Sequence, residues 1–108
     1  MNEQMLDELV KGLLSLLSAQ TVRIVMYGSV ARGTAGPESD IDIAVFLSER
    51  LTPQQQDGLS DLIVDLNLKY DKVFSVIDIE QQTYMKWRTV NPFYRDMDRE
   101  GIVLWKAA

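Results

Sequence analysis

The sequence contains no histidine and no cysteine. The lack of histidine excludes Ser-His-Asp and Cys-His catalysis and any histidine-ligated zinc site. The lack of cysteine excludes disulfide bonds and thiolate chemistry, and it is compatible with the cytoplasmic location that we expect. Acid, base or metal chemistry must therefore depend mainly on carboxylates, whose oxygen atoms favour Mg²⁺ or Mn²⁺.

Basic charge and long apolar segments are also scarce. The 108 residues include 16 acidic and 11 basic side chains, which gives a net charge of −5. The basic residues are dispersed, so nucleic-acid binding is not expected, because phosphate contacts need clusters of Lys and Arg. Glu3 and Asp7 interrupt the N-terminal apolar stretch, which argues against a signal peptide or a membrane span. The length predicts a single domain over residues 1–108.

Helical periodicity dominates the N-terminal segment, and we predict a helix over residues 2–20. One face carries apolar side chains at helical spacing, and neighbouring apolar residues widen it. The regularly spaced set is Leu6, Leu9, Val10, Leu13 and Leu17, and the widening set is Met5, Leu14 and Leu16. A helix packed on a sheet explains this face, while the alternative is that part of it contacts another chain, as in an oligomer.

The remaining pattern alternates strands and helices and predicts a mixed α/β (α+β) fold with a small mixed sheet flanked by helices. We expect strands at residues 21–27, 40–47, 72–79 and 102–105. We expect helices at residues 53–69 and 80–89, then a short helix between Pro92 and Gly101. Residues 29–39 form a loop, either plain or opened by one short helical turn. The helix between the second and third strands favours a crossover connection.

A phosphate-binding turn is indicated where the first predicted strand ends. Gly28 lets the backbone approach a ligand closely, and Ser29 opens the following turn. If that turn is helical, its unpaired N–H groups favour an anion, especially phosphate. Arg32 lies one turn further on and adds a charge-assisted contact, while Gly33 eases the exit. Taken alone, a Gly-Ser pair after a strand is more often a simple turn.

A pair of carboxylates follows on the second predicted strand. Asp40 and Asp42 are two residues apart, so they point to the same face with Cα atoms roughly 6.5 Å apart. Two like charges side by side are unfavourable without a cation, and the pair can converge on one or two divalent ions. The alternative is two solvated acids on an exposed face. Combined with the phosphate turn, the pair matches what two-metal phosphoryl or nucleotidyl transfer requires.

The chain also resembles the minimal nucleotidyltransferases of the DNA polymerase beta superfamily. The resemblance is carried by Gly28-Ser29-Val30-Ala31-Arg32-Gly33 and by Ser39-Asp40-Ile41-Asp42-Ile43-Ala44-Val45. It extends over nearly the whole chain, including the ending Arg99-Glu100-Gly101-Ile102-Val103-Leu104. The specific part spans about residues 27–46. The resemblance therefore implies the nucleotidyltransferase fold.

For the site, the resemblance implies that Gly28 and Ser29, aided by Arg32 and Ser39, bind a nucleoside triphosphate. It implies that Asp40 and Asp42 hold two Mg²⁺ ions and that a third carboxylate, from the third strand, holds one of those ions and helps to activate the acceptor hydroxyl. The reaction would be attack of that hydroxyl on the α-phosphorus with release of pyrophosphate. The nucleotide expected is ATP, which would donate AMP.

The third carboxylate departs from the family pattern. The family often has an acid near the beginning or middle of this strand, where the present sequence reads Phe74-Ser75-Val76. Asp78 is the acid within the predicted strand and is our candidate for the third catalytic, metal-binding carboxylate. The alternative is that Asp78 marks the strand's end or caps the following helix. If no third acid reaches the metals, the domain binds nucleotide with little catalysis.

Three functions fit the sequence. The first is transfer of AMP to a partner protein, because single-domain members resemble the antitoxin half of bacterial toxin–antitoxin pairs, whose partner is a HEPN-domain ribonuclease toxin. The second is a binding module that neutralises its partner by complex formation alone. The third is a small-molecule modifier resembling aminoglycoside nucleotidyltransferases, although those normally carry a second domain for the acceptor.

Overall fold

A four-stranded sheet organises the computed structural model, which describes residues 3–108. The helices are α1 (Glu3–Leu17), α2 (Gly28–Arg32), α3 (Pro53–Tyr70), α4 (Gln81–Trp87) and α5 (Pro92–Glu100), and the strands are β1 (Thr21–Tyr27), β2 (Ile41–Leu47), β3 (Phe74–Glu80) and β4 (Ile102–Lys106). Their order in the sheet is β3-β2-β1-β4. Strands β2 and β3 are parallel and the other pairs antiparallel, so the sheet is mixed, as predicted.

The predicted elements are all found, with shifted ends. Helix α1 stops at Leu17, three residues before its predicted end, and the predicted start at Asn2 lies outside the described residues. The predicted loop opens with the five-residue helix α2. Strand β2 begins at Ile41, so Asp40 lies just before the strand. Strand β3 runs through Glu80, which the sequence assigned to the next helix.

The sheet has two faces, each covered by helices. On the first face, Ile41, Ile43 and Val45 pack in one buried cluster with α1 and α3. On the second face, Ala44 and Phe46 pack with Tyr84 of α4 and Met97 of α5. This alternation follows from the two-residue period of a strand, which sends successive side chains to opposite faces. Odd-numbered side chains of β2 from Ile41 to Val45 therefore lie on the first face, and even-numbered ones on the second.

Helix α1 packs its predicted face inward. The side chains that it buries recur every four residues and are Met5, Leu9, Leu13 and Leu17. Leu6 and Val10, which the periodicity also selected, are only partly buried beside this cluster. The interpretation of a helix packed on a sheet is therefore confirmed for most of the face. Within residues 3–108, no helix combines the length and apolar character that crossing a membrane requires.

The start of α3 is fixed by a capping box that the sequence predicts. The Thr52 hydroxyl accepts a hydrogen bond from the Gln55 backbone N–H at 3.1 Å. In return the Gln55 side chain accepts one from the Thr52 N–H at 2.9 Å, and Pro53 occupies the first helical position. This reciprocal pair satisfies backbone donors that a helix start leaves free. It determines where the crossover from β2 to β3 begins.

Core packing predicts unequal costs for two Leu→Ala substitutions. Leu13 is fully buried, so Leu13→Ala should lower the free energy of unfolding by about 2–5 kcal/mol through lost burial and a residual cavity. Leu68 on α3 is 79% exposed, so Leu68→Ala should change it by no more than about 0.5 kcal/mol. Urea unfolding curves of both variants measure the difference. Equal costs would contradict this assignment of the core.

Candidate active site

The end of β1 and the beginning of β2 meet because the two strands are antiparallel. Tyr27, the last residue of β1, pairs directly with Asp42 of β2. The next residues, Gly28 and Ser29, open α2, so the predicted phosphate turn lies beside the predicted carboxylate. Along the described chain, no side chain caps the first turn of α2. Two motifs separated in sequence are thus assembled at one end of the sheet.

Gly28 is required here by two independent features. Its φ of 74° lies in the left-handed region, where side chains are disfavoured. A Cβ built on Gly28 would also collide with the Asp42 carboxylate oxygen Oδ2. The backbone of the turn therefore lies directly against that carboxylate. Gly33, with φ 75°, ends α2 as a left-handed cap, in agreement with the predicted exit from the turn.

The two aspartates lie in different environments. Asp42 is half-buried within β2, whereas Asp40 is exposed just before the strand. Burial, and next the negative charge of Asp40, raise the pKa of the Asp42 carboxyl above its ordinary value, while Arg32 opposes the shift. The pKa of the Tyr27 hydroxyl is raised by burial and by the Asp42 charge. The pair therefore carries an electrostatic cost that a bound cation would relieve.

Arg32 has a partner that the sequence did not reveal. Its Nη1 lies 3.4 Å from Oε2 of Glu100 at the end of α5, and the two residues are 68 positions apart. The charge of Arg32 also partly offsets the rise in the pKa of Asp42, so it acts on the carboxylates of both Glu100 and Asp42. The predicted phosphate ligand is thus close to the carboxylate pair and already ion-paired. No local signal could have indicated this contact, because it depends on how α5 packs.

Helix α5 forms one wall of the site. Phe93 packs edge-on against Tyr27, with ring centroids 5.5 Å apart, and 43% of Phe93 remains exposed. A cavity of about 200 Å³ opens here; it is lined by Tyr27, Gly28, Arg32, Phe93, Asp96, Met97 and Glu100. The sequence predicted a short helix between Pro92 and Gly101, and in the structure the Asn91 side chain caps its start. Its position beside the carboxylates follows only from the tertiary fold.

Ser39 closes the loop that leads to the carboxylates. Its hydroxyl accepts a hydrogen bond from the Gly36 N–H at 3.0 Å, and its own N–H donates to the Gly36 carbonyl at 3.2 Å. Ser39 also lines a cavity of about 430 Å³ together with Ile41, Tyr70 and Lys72. This cavity was not apparent from the sequence. Its lining residues Ile41 and Tyr70 belong to the first face of the sheet, away from the side chain of Asp42.

Asp78 does not join the carboxylate pair, and the prediction that it completes the metal site is corrected by the strand register. In the parallel pairing, Asp42 lies opposite Ser75, whereas Asp78 lies opposite Val45. Three residues separate these positions, so Asp78 is about 10 Å further along the sheet and points to its other face. Asp78 is exposed, and Glu80 rather than Asp78 precedes α4. Across residues 3–108 no three acidic side chains are grouped as metal ligands.

Known proteins resemble this chain in sequence. Residues 6–100 match the family model described as a nucleotidyltransferase domain. A proposed protein adenylyltransferase of Methanocaldococcus jannaschii, MJ0604, is 33% identical over 103 residues, which cover 95% of this chain and 97% of that protein. A second from the same organism, MJ0141, is 28% identical over 74 residues, covering 68% and 75% of the two chains.

Solved structures resemble it in fold. Spectinomycin adenyltransferase from Enterococcus faecialis, with ATP and spectinomycin, superposes with a TM-score of 0.80 at 17% identity, over 100% of this chain and 57% of that chain. A chain from the complex of the tri-AMPylated Shewanella oneidensis HEPN toxin with an MNT antitoxin gives 0.63 at 19% identity, over 99% and 74%. At these identities the likeness concerns the fold alone, and the predicted nucleotidyltransferase fold is confirmed.

Proposed function

This chain belongs to the nucleotidyltransferase domain family, and from that premise we propose that it transfers AMP from ATP to a hydroxyl group of a partner protein. The observation that carries the proposal is the contact between the Gly28 backbone and the Asp42 carboxylate. In the proposed site this contact would bring bound phosphate next to a bound cation, which is the juxtaposition that nucleotidyl transfer needs.

Divalent metal binding fits the residues present. Asp40 and Asp42 supply carboxylate oxygens, which are the ligands that Mg²⁺ and Mn²⁺ prefer. Burial, and next the charge of Asp40, raise the pKa of Asp42, so a cation would stabilise the Asp42 carboxylate. When bound there, Mg²⁺ would offset the charge of the triphosphate and stabilise the charge that develops in the transition state.

The chain's own residues would position the reactants. Backbone N–H groups at Gly28 and Ser29 would donate to phosphate oxygens, as the start of a helix does for anions. Arg32 would add charge once it exchanges Glu100 for phosphate. The acceptor hydroxyl would form a bond to the α-phosphorus while the bond to pyrophosphate breaks. Holding these groups in line supplies much of the rate enhancement in such reactions.

A protein acceptor is supported by the surface next to the site and by the relatives. Four apolar side chains are each more than 40% exposed: Met85 and Trp87 on α4, Val90 in the following turn and Phe93 on α5. Phe93 also borders the site. Exposed apolar groups of this kind are typical of protein contacts. The relative MJ0604 is a proposed protein adenylyltransferase, and a structural neighbour is an MNT antitoxin complex whose toxin is tri-AMPylated. A HEPN-domain toxin is therefore the proposed partner.

A second candidate is an antitoxin that acts by forming a complex, with weak catalysis or none. It is favoured by the position of Ser75, which lies opposite Asp42 where a third carboxylate would be placed. Without that group, the acceptor proton has no acidic side chain of β3 beside Asp42 to receive it. Binding of nucleotide and partner would remain, while turnover would be slow.

A labelling experiment separates the two candidates. The protein is incubated with Mg²⁺ and the product of the adjacent gene, with ATP labelled at either the α- or the γ-phosphate. AMP transfer predicts that α-label enters the partner and γ-label does not. The Asp42→Ala variant is the control and should label nothing. A stable complex without α-label would reject the enzyme and support the binding module.

A further inference from the structure

Ser75 lies directly beside Asp42 on the neighbouring strand. The two residues are register partners in the parallel β2–β3 pair, so their Cα atoms are about 4.8 Å apart and their side chains share the second face of the sheet. Ser75 is half-buried, while its neighbours Phe74 and Val76 turn into the cluster on the first face. The register thus gives β3 one side chain next to the carboxylate, and that side chain is neutral.

No acid of β3, or of the segment just before it, takes the place beside Asp42 that Ser75 occupies. Asp71 follows α3 and precedes Ser75 by four residues, while Asp78 and Glu80 lie opposite Val45 and Leu47 and point to the other face. The acidic candidates left at this end of the sheet are Asp40, just before β2, and Asp42, with two negative charges between them. A pair of divalent ions 3.5–4 Å apart brings four positive charges and requires bridging anionic ligands. Two carboxylates balance a single divalent ion.

We infer that this site holds one divalent ion through Asp40 and Asp42, and that Ser75 sets this number by withholding a third carboxylate. The inference rests on the proposed function, because it concerns the metal of that same site. The other acids of the site wall, Asp96 and Glu100, are ion-paired with Arg99 and Arg32, so a second ion would enter with the phosphates of the nucleotide. Ser75 is thus the position at which this chain departs from a two-ion protein site.

The inference predicts a gain of function from one substitution. Ser75→Asp places a carboxylate next to Asp42 and should create a second ion site. In Ser75→Asn the new side chain has nearly the same shape as aspartate but no charge. It is therefore the matched control and should bind as many ions as the original protein. Ser75→Glu provides a longer carboxylate should the aspartate variant not fold.

The test counts Mn²⁺ ions on nucleotide-free protein from the loss of the free Mn²⁺ signal in electron paramagnetic resonance. We expect one ion for the original protein and for Ser75→Asn, none for Asp42→Asn, and two for Ser75→Asp. A single ion on Ser75→Asp, however tightly held, would contradict the inference. Two ions on the original protein, none at all, or identical binding by the Asp and Asn variants would overturn the inference. The labelling assay is run in parallel, so that AMP transfer with an unexpected ion count overturns the inference and leaves the proposed function standing.

Discussion

Asp42→Asn should reduce AMP transfer by at least about 100-fold while the protein remains folded. The side chain keeps its shape but loses the charge that holds the cation, whose stabilisation of the transition state is worth several kcal/mol. The free energy of unfolding at neutral pH should be unchanged or higher. A carboxyl whose pKa is higher in the folded protein is costly there as a carboxylate, and the amide removes that cost. Steady-state labelling and thermal unfolding measure the two effects.

Asp78→Asn is the matched control for this experiment. It makes the same chemical change on an exposed carboxylate of the other face, so transfer should stay within about twofold of the original rate, since surface substitutions are close to neutral. A comparable loss of AMP transfer in both variants would contradict the location of the metal site that the strand register indicates. A loss from Asp42→Asn alone would locate the chemistry at the β1–β2 end of the sheet.

Gly28→Ala should damage both stability and transfer. Alanine pays about 1–2 kcal/mol to adopt the left-handed backbone of residue 28. Its Cβ also collides with the Asp42 carboxylate, which must move at a further cost of about 1–3 kcal/mol. We therefore expect a loss of about 2–5 kcal/mol in the free energy of unfolding. Displacement of Asp42 should also weaken Mn²⁺ binding in the resonance assay.

Gly33→Ala separates the two causes. Residue 33 has nearly the same φ, 75°, but a Cβ there would meet no atom within 4 Å. This variant should lose only the backbone part, about 1–2 kcal/mol, and should bind Mn²⁺ normally. The difference between the variants measures the contact between the turn and the carboxylate. Similar Mn²⁺ binding by both would show that this contact does not position Asp42.

Much of the fold was predictable because its signals are local. The period of the apolar residues in α1, the capping residues Thr52 and Gln55, and the Asn91-Pro92 start of α5 each act within a few positions of the chain. The Gly28–Ser29 turn and the Asp40–Asp42 pair could also be predicted locally, because each depends only on the strand next to it. Their mutual approach required just one antiparallel pairing between two consecutive strands.

The rest depends on register, which no local pattern specifies. Asp78 lies three positions after Ser75 on β3. The two side chains therefore point to opposite faces and lie at different places along the strand. The sequence shows an acid on the third strand but not which residue of β2 it adjoins. The parallel pairing is set by packing of the crossover helix α3, and this decides in favour of Ser75. The wall formed by α5 is likewise a product of tertiary packing.

The ion pair between Arg32 and Glu100 means that Glu100 would compete with a phosphate of the nucleotide for the Arg32 guanidinium. A phosphate that approaches Arg32 meets a guanidinium that already has an anionic partner, so the gain is the difference between two charge-assisted contacts. If Arg32 binds the nucleotide as proposed, the apparent affinity for ATP includes the free energy of releasing Glu100. Helix α5 would then take part in the binding equilibrium, and changes in how it packs would alter affinity without contact with the substrate.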